Sequence, residues 1–180
     1  MKKLILIWMC ICPLLVYSQE CADRELIPIN ETAKAYIEEN FKSSRIADTS
    51  NFISDWCSFY DEDEVPYYQE GDFNGDGKTD YALMLYSENN FMIVMLHNEG
   101  ANKYSHHILT EEKSDGLNYM ISKIELEIGF GIQPPGELYD FDTDTTINIS
   151  TNSLIVYFFE KGAESYYWKD NKYNRIHSGD

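Results

Sequence analysis

The sequence predicts an α+β fold in which an N-terminal helix packs on a twisted antiparallel β-meander, all within a single domain. Two observations lead there. Only one segment, Glu31 to Phe41, repeats its apolar residues at helical spacing, with Ala33, Tyr36, Ile37 and Phe41 three and four apart. From Pro66 onward the chain is instead a series of short runs rich in Val, Ile, Tyr and Phe, divided by turn residues. Consecutive antiparallel strands read in this way.

Taken in order, residues 1–18 are expected to be a cleaved secretory leader. Lys2 and Lys3 precede an apolar run, Leu4 to Tyr17, that is too short to span a bilayer stably, and Val16 and Ser18 offer small-residue cleavage positions. A lipid-anchored reading is weaker, because Cys10, Cys12 and Cys21 follow Met9, Ile11 and Glu20 rather than a small residue. Cleavage leaves residues 19–180, about 160 residues, enough for one domain with its own core. The expected location is therefore secreted or periplasmic, with no membrane insertion after processing.

Asn30 is placed to cap the helix, whose other face carries Glu31, Lys34, Glu38 and Glu39, and Ser43-Ser44 ends it. The aromatic stretch Ile53 to Tyr60 is expected to pack beside it, and Asp61-Glu62-Asp63-Glu64 to form a solvated loop. Strands are expected over Tyr67–Phe73, Tyr81–Tyr86, Phe91–His97 and Lys103–Leu109. Met120–Ile128 reads as a strand or a helix, and 129–138, with Pro134-Pro135-Gly136, as a loop. Thr146–Ile149, Ser153–Phe159, Glu164–Lys169 and Tyr173–Ile176 close the chain, with turns at Lys161-Gly162 and Asp170-Asn171.

Charge and cysteine content narrow the function classes. Fourteen Lys and Arg stand against 31 Asp and Glu, a net charge of −17, and loss of Lys2 and Lys3 makes the balance more acidic still. Such a surface repels nucleic acid phosphates and anionic membranes. It suits solubility, cation binding or a basic partner. Cys21 and Cys57 alone remain after processing, and in an oxidising compartment two cysteines most simply form one disulfide. Closing that loop stabilises a fold by about 4 kcal/mol in the chain-entropy model.

The strongest local signal is Asp72-Phe-Asn74-Gly75-Asp76-Gly77-Lys78-Thr79-Asp80. Counted from Asp72, side-chain oxygens fall at positions 1, 3, 5 and 9 (Asp72, Asn74, Asp76, Asp80), with Gly77 at position 6 and the Lys78 carbonyl at position 7. Hard cations wanting six to eight oxygens are wrapped by this spacing. Asn74-Gly75 and Asp76-Gly77 are also hairpin-turn dipeptides, so an empty turn is the competing reading. A plain hairpin needs only one of them, and it gives no reason to gather three carboxylates that repel one another. Leu83 stands where an EF-hand needs its bidentate Glu, and Tyr81 to Ser87 reads as a strand rather than an exiting helix.

The stretch Gly71 to Ala82 resembles the calcium loops of the FG-GAP/VCBS type. The resemblance covers about a dozen residues. It implies a Ca2+ ion held by Asp72, Asn74, Asp76, Asp80 and the Lys78 carbonyl, in a loop joining two antiparallel strands, with Asp80 placed for bidentate binding. The motif occurs once, and Asp140-Phe-Asp142-Thr-Asp144-Thr lacks its glycine and later acids, so a multi-bladed propeller is not expected. The single copy and the ending Tyr166 to Tyr173 are similar to small exported bacterial proteins of uncharacterised function, a resemblance that supplies no activity.

No catalytic constellation stands out. His106 and His107 are adjacent on an expected strand and point to opposite faces, and a hydrogen-bonded structural role suits His97 at its strand end. Nucleophile elbows, zinc-helix motifs and phosphate loops are missing from the sequence. Glu125 with Glu127, or Glu137 with Asp140 and Asp142, are the carboxylate groupings a hydrolase would use, but so acidic a chain makes such groupings by chance. Tyr166, Trp168 and Tyr157 are placed to share one face of the last hairpin, as a protein- or glycan-binding surface would. The leading expectation is an exported, non-catalytic calcium-binding module. Alternatives are an inhibitor or immunity-type protein binding a basic partner, and a secreted hydrolase.

Overall fold

The computed structural model describes residues 29–52, 59–61, 64–87, 90–113, 128–158 and 161–179. The leader, Cys21, Cys57, Glu125 and Glu127 lie outside them, as do the aromatic stretch 53–58 and most of the ambiguous segment 120–128. The described residues form a β-rich, antiparallel structure with one α-helix, α1 (Glu31–Asn40). That helix is neither long nor apolar enough to cross a membrane.

The helix forms where its cap and apolar stripe predict. Asn30 has extended backbone, and its Oδ1 accepts from Ala33 N at 2.9 Å, satisfying one of the unpaired N–H groups of the first turn. Ala33, Ile37 and Phe41 are buried. Tyr36 and Phe41 meet His106, the first through its hydroxyl, 2.9 Å from Nδ1, and the second through a ring contact at 4.9 Å.

The larger sheet is built on β3 (Asp80–Tyr86), whose residues 80–85 are buried on both faces. Its near-continuous apolar sequence marks a central strand. Along one edge of β3 lie β1 (Arg45–Ile46) and β2 (Tyr68–Gly71) in succession. Along the other lies β4 (Asn90–Gly100), which pairs with β5 (Lys103–Lys113). Gly100, Ala101 and Asn102, all at positive φ, turn the chain between those two strands.

A second sheet has the order β11-β10-β9-β6, comprising β6 (Ile128–Gln133), β9 (Ser153–Phe158), β10 (Gly162–Lys169) and β11 (Lys172–Gly179). Asp170 and Asn171 at φ 54° and 57° make the left-handed turn of its last hairpin. Phe130, Leu154, Val156 and Tyr166 carry this sheet into one core with β3 and β4. Its other face packs Tyr167 and Ile176 against Leu138 and Ile149 of a separate hairpin, β7 (Gly136–Asp140) with β8 (Thr145–Ile149).

Two expectations are corrected. The strands do not run as one meander: they divide into three sheets among the described residues. Residues 129–138 are not a loop, because β6 and most of β7 occupy them, with Pro134-Pro135 as the break. Neither proline carries an N–H to continue a ladder, so the chain leaves the sheet there. The strand was hidden by Gly129 and Gly131, which alternate with Ile128, Phe130 and Ile132. Both glycines make room for tyrosine rings. A Cβ on Gly131 would stand 2.7 Å from the Tyr157 ring, and one on Gly129 2.3 Å from the Tyr60 hydroxyl.

Candidate metal centre

The loop leaves β2 at Gly71 and enters β3 at Asp80, the last paired positions of that hairpin. Its turns are made by the glycines the sequence singled out, Gly75 at φ 82° and Gly77 at φ 78°. Asp72 organises the backbone. Its Oδ1 accepts from Gly75 N at 2.7 Å and Asp76 N at 3.1 Å, and its Oδ2 accepts from Gly77 N at 3.0 Å. Asn74 Oδ1 accepts a second bond from Asp76 N at 2.9 Å, and Asp76 Oδ1 accepts from Lys78 N at 2.9 Å. Asp72, Asn74 and Asp76 thus each fold back on the N–H groups that follow them, the local habit of Asp and Asn in turns.

Three anchors tie this loop to the body. Phe73 is fully buried in the main core. The Asp72 carbonyl accepts from Asn152 N at 3.1 Å, joining the loop to the β8–β9 connection. Asp80 is fully buried, and its Oδ2 accepts from Phe73 N at 3.1 Å while its Oδ1 accepts from Asn98 N at 2.9 Å.

The third group on Asp80 is the buried imidazole of His97, whose Nδ1 lies 3.2 Å from Oδ2. Its Nε2 lies 3.1 Å from the Tyr173 hydroxyl. A carboxylate accepts from the imidazole, so the network assigns a proton to Nδ1. Burial, and then the charges of Asp80 and Asp72, push the Tyr173 pKa up, keeping that hydroxyl protonated. Trp168 and His107 close around the imidazole, with ring centroids 5.3 and 5.2 Å from His97.

Asp72, Asn74 and Asp76 therefore share one turn, with Asp80 beneath them in the interior. Asp76 Oδ2 lies 2.5 Å from Lys78 Nζ, and this ammonium beside it holds the Asp76 carboxyl below its usual range. Asp76 reciprocally raises the Lys78 pKa. In this arrangement no three His, Cys, Asp or Glu side chains converge on one point among the described residues. The donor set is nevertheless all hard oxygen, as a calcium site requires.

The other candidate groupings resolve differently. Asp140 accepts from Asp142 N at 3.1 Å and Thr143 Oγ1 at 2.7 Å, shaping the β7–β8 turn, while Glu137 is exposed on β7. His106 and His107 do point to opposite faces, one to α1 and the other to His97. Tyr166 and Trp168 share the inner face of β10, but Tyr157 pairs with Ala163 and so stands on the opposite face. The expected three-residue aromatic face is not formed. Sequence reasoning missed Asn98, Asn152 and Tyr173 as partners of the loop and its imidazole.

Comparison with family models, curated proteins and solved structures finds no match for this chain.

Proposed function

We propose that Asp72–Asp80 is a calcium loop and that the chain is an exported, non-catalytic module whose ion fixes the β2–β3 hairpin. The observation that carries this reading is Asp80, a carboxylate with no exposed surface, fixed by two backbone N–H groups and an imidazole at the end of a loop of oxygen donors. Asp72, Asn74, Asp76, Asp80 and the Lys78 carbonyl would hold the ion. Bound there, calcium supplies the positive charge that three neighbouring carboxylates need.

Asp72 is already oriented by three N–H groups, and both glycines hold the turn open for it. Lys78 must release Asp76 to admit the ion; its side chain is flexible and solvent-exposed, and such surface pairs are easily broken. The export half of the reading rests on the basic start and apolar run of residues 1–18. At ~1 mM external calcium and a Kd of ~10–100 μM, linkage contributes roughly 1.4–2.7 kcal/mol to the fold.

Terbium tests the site directly, since Tyr81 follows Asp80 in the chain and can sensitise its luminescence. Emission that calcium competes away, and that Asp76→Ala loses, supports the loop as a metal site. Absence of sensitised emission in the wild type, or emission unchanged by Asp76→Ala, removes the reading.

A further inference from the structure

Between the two main sheets, beside strands that each pair on one side only among the described residues, lies a cleft of about 360 Å³. Residues 107–109 of β5 line one side, and Tyr166, Lys172, Tyr173 and Arg175 of the β10–β11 hairpin line the other. Its chemistry departs from that of the chain as a whole. Acids outnumber bases 31 to 14 in the sequence, yet two cations and no carboxylate line this cleft among the described residues.

Several of these groups have partners. Arg175 Nη1 donates to Glu164 Oε1 at 3.1 Å, and Glu164 Oε2 accepts from the Tyr166 hydroxyl at 2.9 Å. The Tyr166 hydroxyl also lies 3.2 Å from Thr110 Oγ1, so the chain of contacts reaches β5. The guanidinium also interacts with the Tyr166 hydroxyl, and with 63 % of its side chain exposed it keeps further N–H donors for a ligand. Lys172 stands exposed at the rim. Tyr173 is anchored at its hydroxyl by His97, and its ring packs on Trp168 with centroids 5.0 Å apart. His107, edge-on to Tyr173 at 5.7 Å, has its pKa lowered by burial first and then by His97 and His106, so it meets a ligand as a neutral imidazole at neutral pH.

We propose that this cleft binds a small monoanionic ring compound, a carboxylate carried on a sugar or aromatic ring. Arg175 grips the carboxylate and Lys172 adds positive charge from the rim, while Tyr173 and His107 flank the ring. A bidentate guanidinium suits a carboxylate, and the volume sits at the small end of ligand pockets, where one ring unit belongs. Glu164 offsets one of the two cations, which leaves the site matched to a single negative charge. The proposal goes beyond the calcium reading and stands without it.

The test is calorimetric titration of the folded chain with galacturonate and with 4-hydroxybenzoate, beside their neutral counterparts galactose and phenol. One of the two acids is expected to bind saturably and about tenfold or more tighter than its neutral counterpart. Which acid it is separates the sugar from the aromatic source. Lys172→Gln and Arg175→Gln should each weaken that binding about fivefold or more. Because Arg175 also pairs with Glu164, Lys172→Gln, with its near-ultraviolet spectrum unchanged, decides the matter if the other variant disturbs the hairpin. No heat from either acid up to about 10 mM, equal binding of the neutral ring, or wild-type affinity in Lys172→Gln would overturn the proposal.

Discussion

Asp80 and His97 face each other across the β3–β4 ladder, Oδ2 to Nδ1 at 3.2 Å, with 0 % and 3 % of their side chains exposed. Through this contact the candidate metal loop is joined to β4, and through the Tyr173 hydroxyl it is joined to β11 in the other sheet. A buried carboxylate with several donors is strongly held, and removing it strands every donor at once.

Asp80→Ala leaves Phe73 N, Asn98 N and His97 Nδ1 without their acceptor. The expected loss is about 3 kcal/mol or more. Asp80→Asn keeps one acceptor oxygen and the side-chain shape, so it should destabilise less while still weakening calcium binding. Urea unfolding of both variants, in calcium and in chelator, checks the order.

Tyr173→Phe retains the ring against Trp168 and His107 but deletes the hydroxyl on His97 Nε2. About 1–2 kcal/mol should be lost. If the Asp80–His97–Tyr173 chain acts as a unit, a double-mutant cycle with Asp80→Asn will return a coupling of about 0.5 kcal/mol or more.

The two loop glycines should rank in a set order. Gly77→Ala meets nothing within 4 Å and suffers only the left-handed backbone at φ 78°, about 1–2 kcal/mol. Gly75→Ala carries the same strain at φ 82° and also brings a Cβ within 2.9 Å of Thr151 Cγ2, so it should cost more. Reversed values from denaturant unfolding would contradict the loop geometry.

Stability should fall as the medium is acidified below about pH 6.5, the ordinary histidine value. The folded pKa of His107 is depressed by burial, then by His97 and His106, so the unfolded chain takes up this proton first. The loss therefore begins near the unfolded value and continues until pH drops through the folded one. His107→Gln should flatten that part of the curve, measured as urea midpoints between about pH 7.5 and 5.5.

Sequence pattern was sufficient for α1, from its apolar spacing, and for most strands, from β-branched and aromatic residues bounded by turn residues. It failed at β6, where Gly129 and Gly131 contribute no hydrophobic signal and serve instead as space for tyrosine rings. That residues 72–79 connect two strands was legible from their turn dipeptides. The burial of Asp80 was not, since it reads as polar yet sits inside. A clue was present: pairing Tyr86 with Phe91 across the expected turn extends to Tyr81 with Leu96, and one step further sets Asp80 opposite His97. Tyr173 was beyond such reach, as its contact with His97 depends on how two sheets pack.

The central claim, an ion that fixes the β2–β3 hairpin, is tested most directly by the thermal unfolding midpoint in chelator and in ~1 mM calcium. A rise of roughly 3–10 °C is expected, and Asp72→Asn should abolish it. An identical midpoint in both media, for a wild-type chain that unfolds cooperatively, would contradict the account.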